Sequence, residues 1–185
     1  APAEFIDNLG MPLRDGLAFA HSALTGAGLR GHIKLGCAGK IITGFDMARA
    51  HALGADWCNI ARGFMFAVGC IQAQTCHTGH CPTGVTSQDP SRQRAIVVTD
   101  KAQRVASFHR ETVKSLGELL AAAGMNAPHQ LRPHHIQRRV GDGRILTLAD
   151  QFEFMEAGAL LGKKASVSFA RLWKLARSEA FGAAV

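Results

Sequence analysis

Between His32 and Ala73 the chain spells the same unit twice: a short apolar run, a glycine-bearing turn, then the start of a helix. His32-Ile33-Lys34-Leu35-Gly36-Cys37 reads as a strand, and Thr43-Gly44-Phe45-Asp46 opens a helix through Met47, Ala50 and Leu53 that stops at Gly54. Asp56-Trp57-Cys58-Asn59-Ile60 reads as a second strand, followed by Ala61-Arg62-Gly63 and a helix from about Phe64 to Ala73. Strands separated by a helix are joined by a crossover and lie parallel, so the spacing predicts an α/β protein. An earlier helix begins at Met11-Pro12, where proline's missing N–H costs nothing. It carries Leu13, Leu17, Ala20 and Leu24 at helical spacing and closes at Gly26 and Gly28. With 47% hydrophobic and 19% charged residues the chain can bury a core. Its 20 glycines, 6% aromatics and absent tyrosine argue against a β-sandwich. The 185 residues fit one ordinary domain or part of a larger one.

After Cys76 the pattern changes. Thr75 to Asp89 has no periodicity and reads as a loop. Asp100 caps a long helix to about Ala123, with Val105, Phe108, Val113, Leu116 and Leu120 on one stripe. Residues 126–140 are basic and rich in histidine, interrupted by Pro128 and Pro133. Two more helices are expected, Leu148 to Leu161 and Val167 to Ala180. The chain thus divides into residues 1–90, which hold the strand–helix units and the cysteines, and a helical extension over 91–185. Trp57 and Trp173 read as packing residues, Cys58 as a core residue, and His134 and His135 as exposed.

The net charge is +7, with the cations gathered late, from Arg92 and Arg94 through Arg138, Arg139 and Arg144. No recognition helix, zinc finger or aromatic RNA-binding signature accompanies them, so a nucleic-acid partner is not expected. A solvated or subunit-contacting basic face, or an anionic ligand, accounts for the charge better. No apolar run reaches the ~18 residues that span a bilayer, and no export signal is visible, so the expected setting is cytoplasmic and away from membranes. The chain opens on Ala1, which points to processing, trimming or a longer parent.

The most specific chemical signal is Cys70-x5-Cys76-x4-Cys81, followed at once by Pro82. Three of the five cysteines within twelve residues do not look like a disulfide framework; in a reducing compartment they read as metal ligands. Soft thiolates select iron–sulfur or zinc, and three ligands without an evident fourth favour a [3Fe-4S] cluster. Zinc completed by His77 or His80 is the competing reading, and buried cysteines acting as small hydrophobes the plainer one. A second signal is the pair of turns Gly36-Cys37-Ala38-Gly39-Lys40 and Ala61-Arg62-Gly63. At the C-terminal ends of neighbouring parallel strands such turns can cradle a phosphate, although glycine there is often only geometry.

These pieces, in this order, resemble the FMN-binding synthase domain of glutamate synthases. Gly39-Lys40-Ile41-Ile42-Thr43-Gly44-Phe45-Asp46 resembles that family's seventh strand–helix turn, and Ala52-Leu53-Gly54-Ala55-Asp56 its approach to strand eight. The run from Gly69 to Asp89 is similar to its cluster loop, with the cysteine spacing intact. The resemblance covers about residues 1–125 and is most specific over 39–89. It implies the C-terminal portion of a (β/α)8 TIM barrel with an iron–sulfur loop and a helical extension. It implies Gly39, Lys40, Ala61, Arg62 and Gly63 around the FMN phosphate, and Cys70, Cys76 and Cys81 on a [3Fe-4S] cluster. The implied reaction is reductive amination of 2-oxoglutarate to L-glutamate, with electrons from ferredoxin or a reductase subunit. The alternative is a non-catalytic iron–sulfur module for electron transfer or sensing.

The departures are informative. A full barrel needs roughly 250 residues, and strands one to five have no counterpart here. Ala1-Pro2-Ala3-Glu4-Phe5 resembles the segment after strand six, so a partner chain completing the barrel is expected, and low stability and no activity without it. The chain then reads as half of a split or truncated enzyme. Where large synthases carry Asp-Gly-Gly-Leu-Lys, this sequence has Gly36-Cys37-Ala38-Gly39-Lys40. No side chain is assigned as a catalytic acid or base.

Overall fold

The computed structural model describes residues 5, 8–162 and 164–179. Helix α1 (Leu13–Gly26) leads to strand β1 (Gly36–Ala38), helix α2 (Gly44–Ala52), strand β2 (Trp57–Asn59) and helix α3 (Arg62–Val68). β1 and β2 pair in parallel, with Gly36 opposite Trp57, Cys37 opposite Cys58 and Ala38 opposite Asn59. The expected α/β crossover is therefore present, although both strands are shorter than their apolar runs. Thr43 caps α2 as a full capping box: its hydroxyl accepts from the Asp46 N–H, and the Asp46 carboxylate accepts from the Thr43 N–H. Among the described residues the sheets are two-stranded and no barrel is closed.

Helix α3 stops at Val68, five residues before the expected end. Gly69 takes φ +124, and the Cys70 N–H turns back to the Met65 carbonyl. Gln72 and Gln74 then adopt left-handed backbone at φ 58 and 57, so a loop begins where a helix was read. A short helix α4 (Pro90–Gln93) follows, its first turn capped by Asp89. The long helix α5 (Val98–Ala122) starts two residues ahead of Asp100, which lies in the first turn and is not the cap. Its buried residues are Thr112, Leu116 and Leu120, continuing the half-buried Val105 and Phe108 at steps of three and four. Val113 lies one residue, about 100° of helix, beyond Thr112 and is exposed.

The extension is not purely helical. Strands β3 (Gln137–Arg139) and β4 (Ile145–Thr147) form an antiparallel hairpin inside the basic segment. The helix expected from Leu148 to Leu161 is only one turn, α6 (Leu148–Gln151). Its would-be continuation is drawn off by α1: the Gly158 and Leu160 N–H groups donate to the Thr25 and Gly26 carbonyls at 3.0 and 2.9 Å. Ser22, fully buried, also donates to the Glu153 carbonyl at 2.7 Å. Helix α7 (Val167–Leu175) completes this strap, stacking Phe169 on Phe19 at 5.1 Å. The expected end of that helix at Ala180 lies outside the described residues, as do residues 1–4 of the segment likened to the one after strand six. Trp57 and Trp173 are each about half exposed, against the packing role read for them; the Trp57 ring nevertheless covers bare Gly36 on β1.

One hydrophobic core runs through both parts of the chain. It joins Leu17 and Ala18 of α1 and Ala48, Ala52 and Leu53 of the α2 region to Leu116 and Leu120 of α5 and to Leu131, Ile136 and Leu148 beyond. Small residues let α2 approach α5 closely: a Cβ on Gly44 would stand 2.7 Å from the Leu116 backbone nitrogen.

Candidate functional site

The turns after β1 and β2 open into one cavity of about 1290 Å³. Gly39, Lys40, Ala61 and Arg62 line it, together with Cys37, Asn59 and the start of α1. Parallel pairing of β1 and β2 brings these turns side by side, although 21 residues separate Gly36 from Trp57 in sequence. Five cationic side chains face the cavity (Arg14, Lys40, Arg49, Arg62 and Arg138) against three carboxylates, Asp15, Asp46 and Asp150. Asp46 is already engaged by Thr43, Ile42 and Arg49. Burial alone would raise its pKa, but those hydrogen bonds and Arg49 hold it below the ordinary carboxylate value. The cavity is thus suited to an anion.

Gly63, the fifth residue expected at the phosphate, is buried and does not line the cavity. A Cβ there would stand 2.7 Å from the Phe108 ring and 3.0 Å from Ile60, so its bareness serves the seating of α3 on α5. Phe64 and Phe108 meet edge to face at 5.1 Å on the same contact. No local pattern marks Arg14, Arg49 or Arg138 as cavity residues. Arg138 arrives through the hairpin, and only tertiary folding brings it across.

Helix α3 leads straight from the second turn to the cysteines. Cys70, Cys76 and Cys81 line one small cavity with Met65, Thr83 and Thr86. Neither His77 nor His80 lines it; both are exposed. Among the described residues no three His, Cys, Asp or Glu side chains lie close enough to share a single metal ion. An iron–sulfur cluster is broader than one ion and takes its thiolates from further apart. The enclosed space is only about 10 Å³, room for a single water, so the loop would have to spread to seat a cluster. Cys76 is exposed and the loop carries the left-handed Gln72 and Gln74, which leaves it on the surface side.

The environment of the sulfurs suits thiolate chemistry. The Cys81 thiol is lowered to about 6, first by the Thr83 hydroxyl, whose oxygen lies 3.5 Å from the sulfur, then by Thr86. Thr86 Oγ1 is buried without a hydrogen bond of ordinary geometry, which leaves a hydroxyl donor in the cavity for sulfur. The Gln72 N–H points at Cys70 Sγ at 3.4 Å. Ser87, buried and unremarked in the sequence, anchors the loop: its hydroxyl donates to the Gly79 carbonyl at 2.7 Å, and its own carbonyl accepts from Gln93 at 2.8 Å.

A family model described as a conserved region in glutamate synthase matches residues 1–126. The chain belongs to the glutamate synthase family. It is 41% identical over 145 residues to the glutamate synthase large subunit-like protein YerD of Bacillus subtilis, covering 78% of this chain and 28% of that protein. It is 35% identical over 132 residues to the archaeal glutamate synthase (NADPH) of Methanocaldococcus jannaschii, 71% of this chain and 26% of the relative. With the glutamate synthase (NADPH) large chain of Azospirillum brasilense it shares 33% identity over 132 residues, only 8% of that protein. The chain therefore spans about a quarter of the shorter curated relatives it matches. The glutamate synthase match takes in α1 to α5, with both turns and the cysteine loop, and ends before the hairpin that supplies Arg138. Among the described residues no helix is long and apolar enough to cross a membrane.

Proposed function

We propose that this chain forms the last strand–helix units of a (β/α)8 barrel in a glutamate-synthase-type oxidoreductase that converts 2-oxoglutarate to L-glutamate. The observation that carries this reading is the continuity of two features: paired turns opening on one cationic cavity, and a three-cysteine loop attached to the second turn by the seven-residue helix α3. Lys40 and Arg62 neutralise the phosphate of FMN, while Gly39 and Ala61 let the backbone approach it. Gly63 fixes the second turn through its contact with Phe108 and Ile60. Cys70, Cys76 and Cys81 hold a [3Fe-4S] cluster, and the Thr83 and Thr86 hydroxyls stabilise negative charge on its sulfurs. When bound, the flavin supplies hydride chemistry and the cluster single-electron relay. The remaining strands come from a partner chain or parent protein, and electrons from ferredoxin or a reductase subunit in the cytoplasm.

The test is co-expression with the complementary barrel segment of a relative, under anaerobic purification. Flavin and acid-labile sulfide are expected together; Cys76→Ser removes the sulfide, and Arg62→Ala weakens flavin retention by about tenfold or more. Sulfide without flavin would instead favour a non-catalytic electron-transfer module. Zinc in place of sulfide would overturn the proposal.

A further inference from the structure

Two cysteines remain outside the cluster loop, and the fold puts them together. Cys37 and Cys58 are directly opposed across the parallel β1–β2 pair, with their sulfurs 3.6 Å apart. Adjacent strands lie about 4.7–4.9 Å apart, inside the 4.4–6.8 Å Cα separation that a disulfide bridges. Cys37 is 4% exposed but lines the large cavity, and Cys58 is half-buried beside it. The next residues along the two strands lead into Gly39-Lys40 and Ala61-Arg62. The pair therefore sits at the root of both turns, and Cys58 lies twelve residues before Cys70, on the far side of α3 from the cysteine loop. The contact also divides the thiols chemically: Cys58 favours the Cys37 thiolate, while the same contact and burial oppose ionisation of Cys58.

We propose that Cys37 and Cys58 form a reversible dithiol–disulfide pair, oxidised by hydrogen peroxide entering through the cavity, that sets the spacing of the two phosphate turns. The Cys37 thiolate attacks one peroxide oxygen; the O–O bond breaks, and with one proton taken up a sulfenic acid and water result. The Cys58 sulfur then attacks the sulfenic sulfur, the S–O bond breaks, and a second water leaves with the Cys58 proton. In sum, two thiols and one peroxide give one disulfide and two waters, two electrons passing from sulfur to oxygen. Closing 3.6 Å to about 2.05 Å takes side-chain rotation across backbones that already stand at disulfide distance, and the bond then fixes the spacing of β1 and β2 at the root of both turns. That the turns hold a flavin phosphate rests on the function proposed above; the disulfide itself does not.

The full chain, treated with stoichiometric hydrogen peroxide, is alkylated in denaturant, digested without reductant and mapped by mass spectrometry. A peptide pair linked through Cys37 and Cys58, two hydrogens lighter than the free peptides, is expected. It should vanish in Cys58→Ser and on adding dithiothreitol. Trp57 fluorescence should fall reversibly in the unmutated protein, because its neighbour Cys58 enters the disulfide; this readout needs no variant to fold. Cys37 and Cys58 both remaining alkylatable, or Cys37 advancing to sulfinic acid unlinked, would overturn the pair. In the complex completed with the complementary segment, oxidation should lower flavin affinity by about tenfold. A disulfide with unchanged flavin affinity would overturn its control of the turns. Failure of flavin to bind in either redox state would overturn the proposed function, and the peptide map would still decide the redox pair.

Discussion

His21 shows how a single ring is fixed by its surroundings. Its Nδ1 accepts from Arg30 Nε at 3.0 Å, and bare Gly54 makes room for the ring, since a Cβ there would stand 2.3 Å from Nδ1. Burial, then the Arg30 charge, holds its pKa below the ordinary 6.5, with Arg132 acting in the same direction and Asp56 opposing. The unfolded chain therefore takes the proton first, so this part of the stability is full above pH 6.5 and is lost as pH falls below it. The melting temperature should drop between pH 7 and 5, and His21→Gln should flatten most of that slope. The exposed His135, also lowered, leaves a smaller residue of the same sign. Asp56 acts in a separate window. Burial would raise it, but the Leu35 N–H at 2.7 Å and Arg30 at 2.9 Å keep it below 3.8, so its contribution is lost only in stronger acid. Asp56→Asn leaves Arg30, itself largely buried, without its carboxylate and should cost about 1–3 kcal/mol in chemical denaturation.

At the scale of elements, helix contacts separate packing from ligand binding. Gly44 and Gly63 both open helices that rest on α5, and each lacks room for a side chain. Gly44→Ala should destabilise the protein by about 1–3 kcal/mol, because the obstacle is the Leu116 backbone and cannot swing away. Gly63→Ala should do the same against Phe108, and a Phe108→Leu partner substitution should recover part of the loss. Arg62→Ala, on the exposed side of that turn, should leave the unfolding free energy within about 1 kcal/mol of the parent while weakening flavin retention. If Gly63→Ala kept full stability and lost only flavin, the packing role assigned to this glycine would be wrong.

For the whole molecule, the strap after α6 ties the C-terminal extension to α1. It covers α1 through the Ser22 hydrogen bond, the ladder from Gly158 and Leu160, and the Phe19–Phe169 stack. Gly26 is bare where Met155 and Leu160 press on it, with a Cβ falling 2.7 and 2.9 Å from them. Ser22→Ala should cost about 1–2 kcal/mol, since the Glu153 carbonyl loses its buried donor. Cutting the chain after residue 151 should cost more and expose α1 to proteolysis, measurable by limited digestion. An unchanged digestion pattern would show that the strap adds nothing.

The sequence by itself determined the parallel pair and its crossover, because glycine turns and apolar runs act locally. It also determined the capping box at Thr43 and the spacing of Cys70, Cys76 and Cys81, for the same reason. Where the backbone's hydrogen bonds go to distant partners, the sequence was silent. That is why residues 148–161, helical by their spacing, form a strap on α1, and why the hairpin at Gln137–Thr147 has no local mark. Convergence belongs to tertiary structure too: Arg138 reaches the cavity of Lys40 and Arg62, Ser87 anchors the cysteine loop, and Cys37 meets Cys58. Each joins residues brought together by strand register or by core burial, and neither force leaves a periodic mark along the chain.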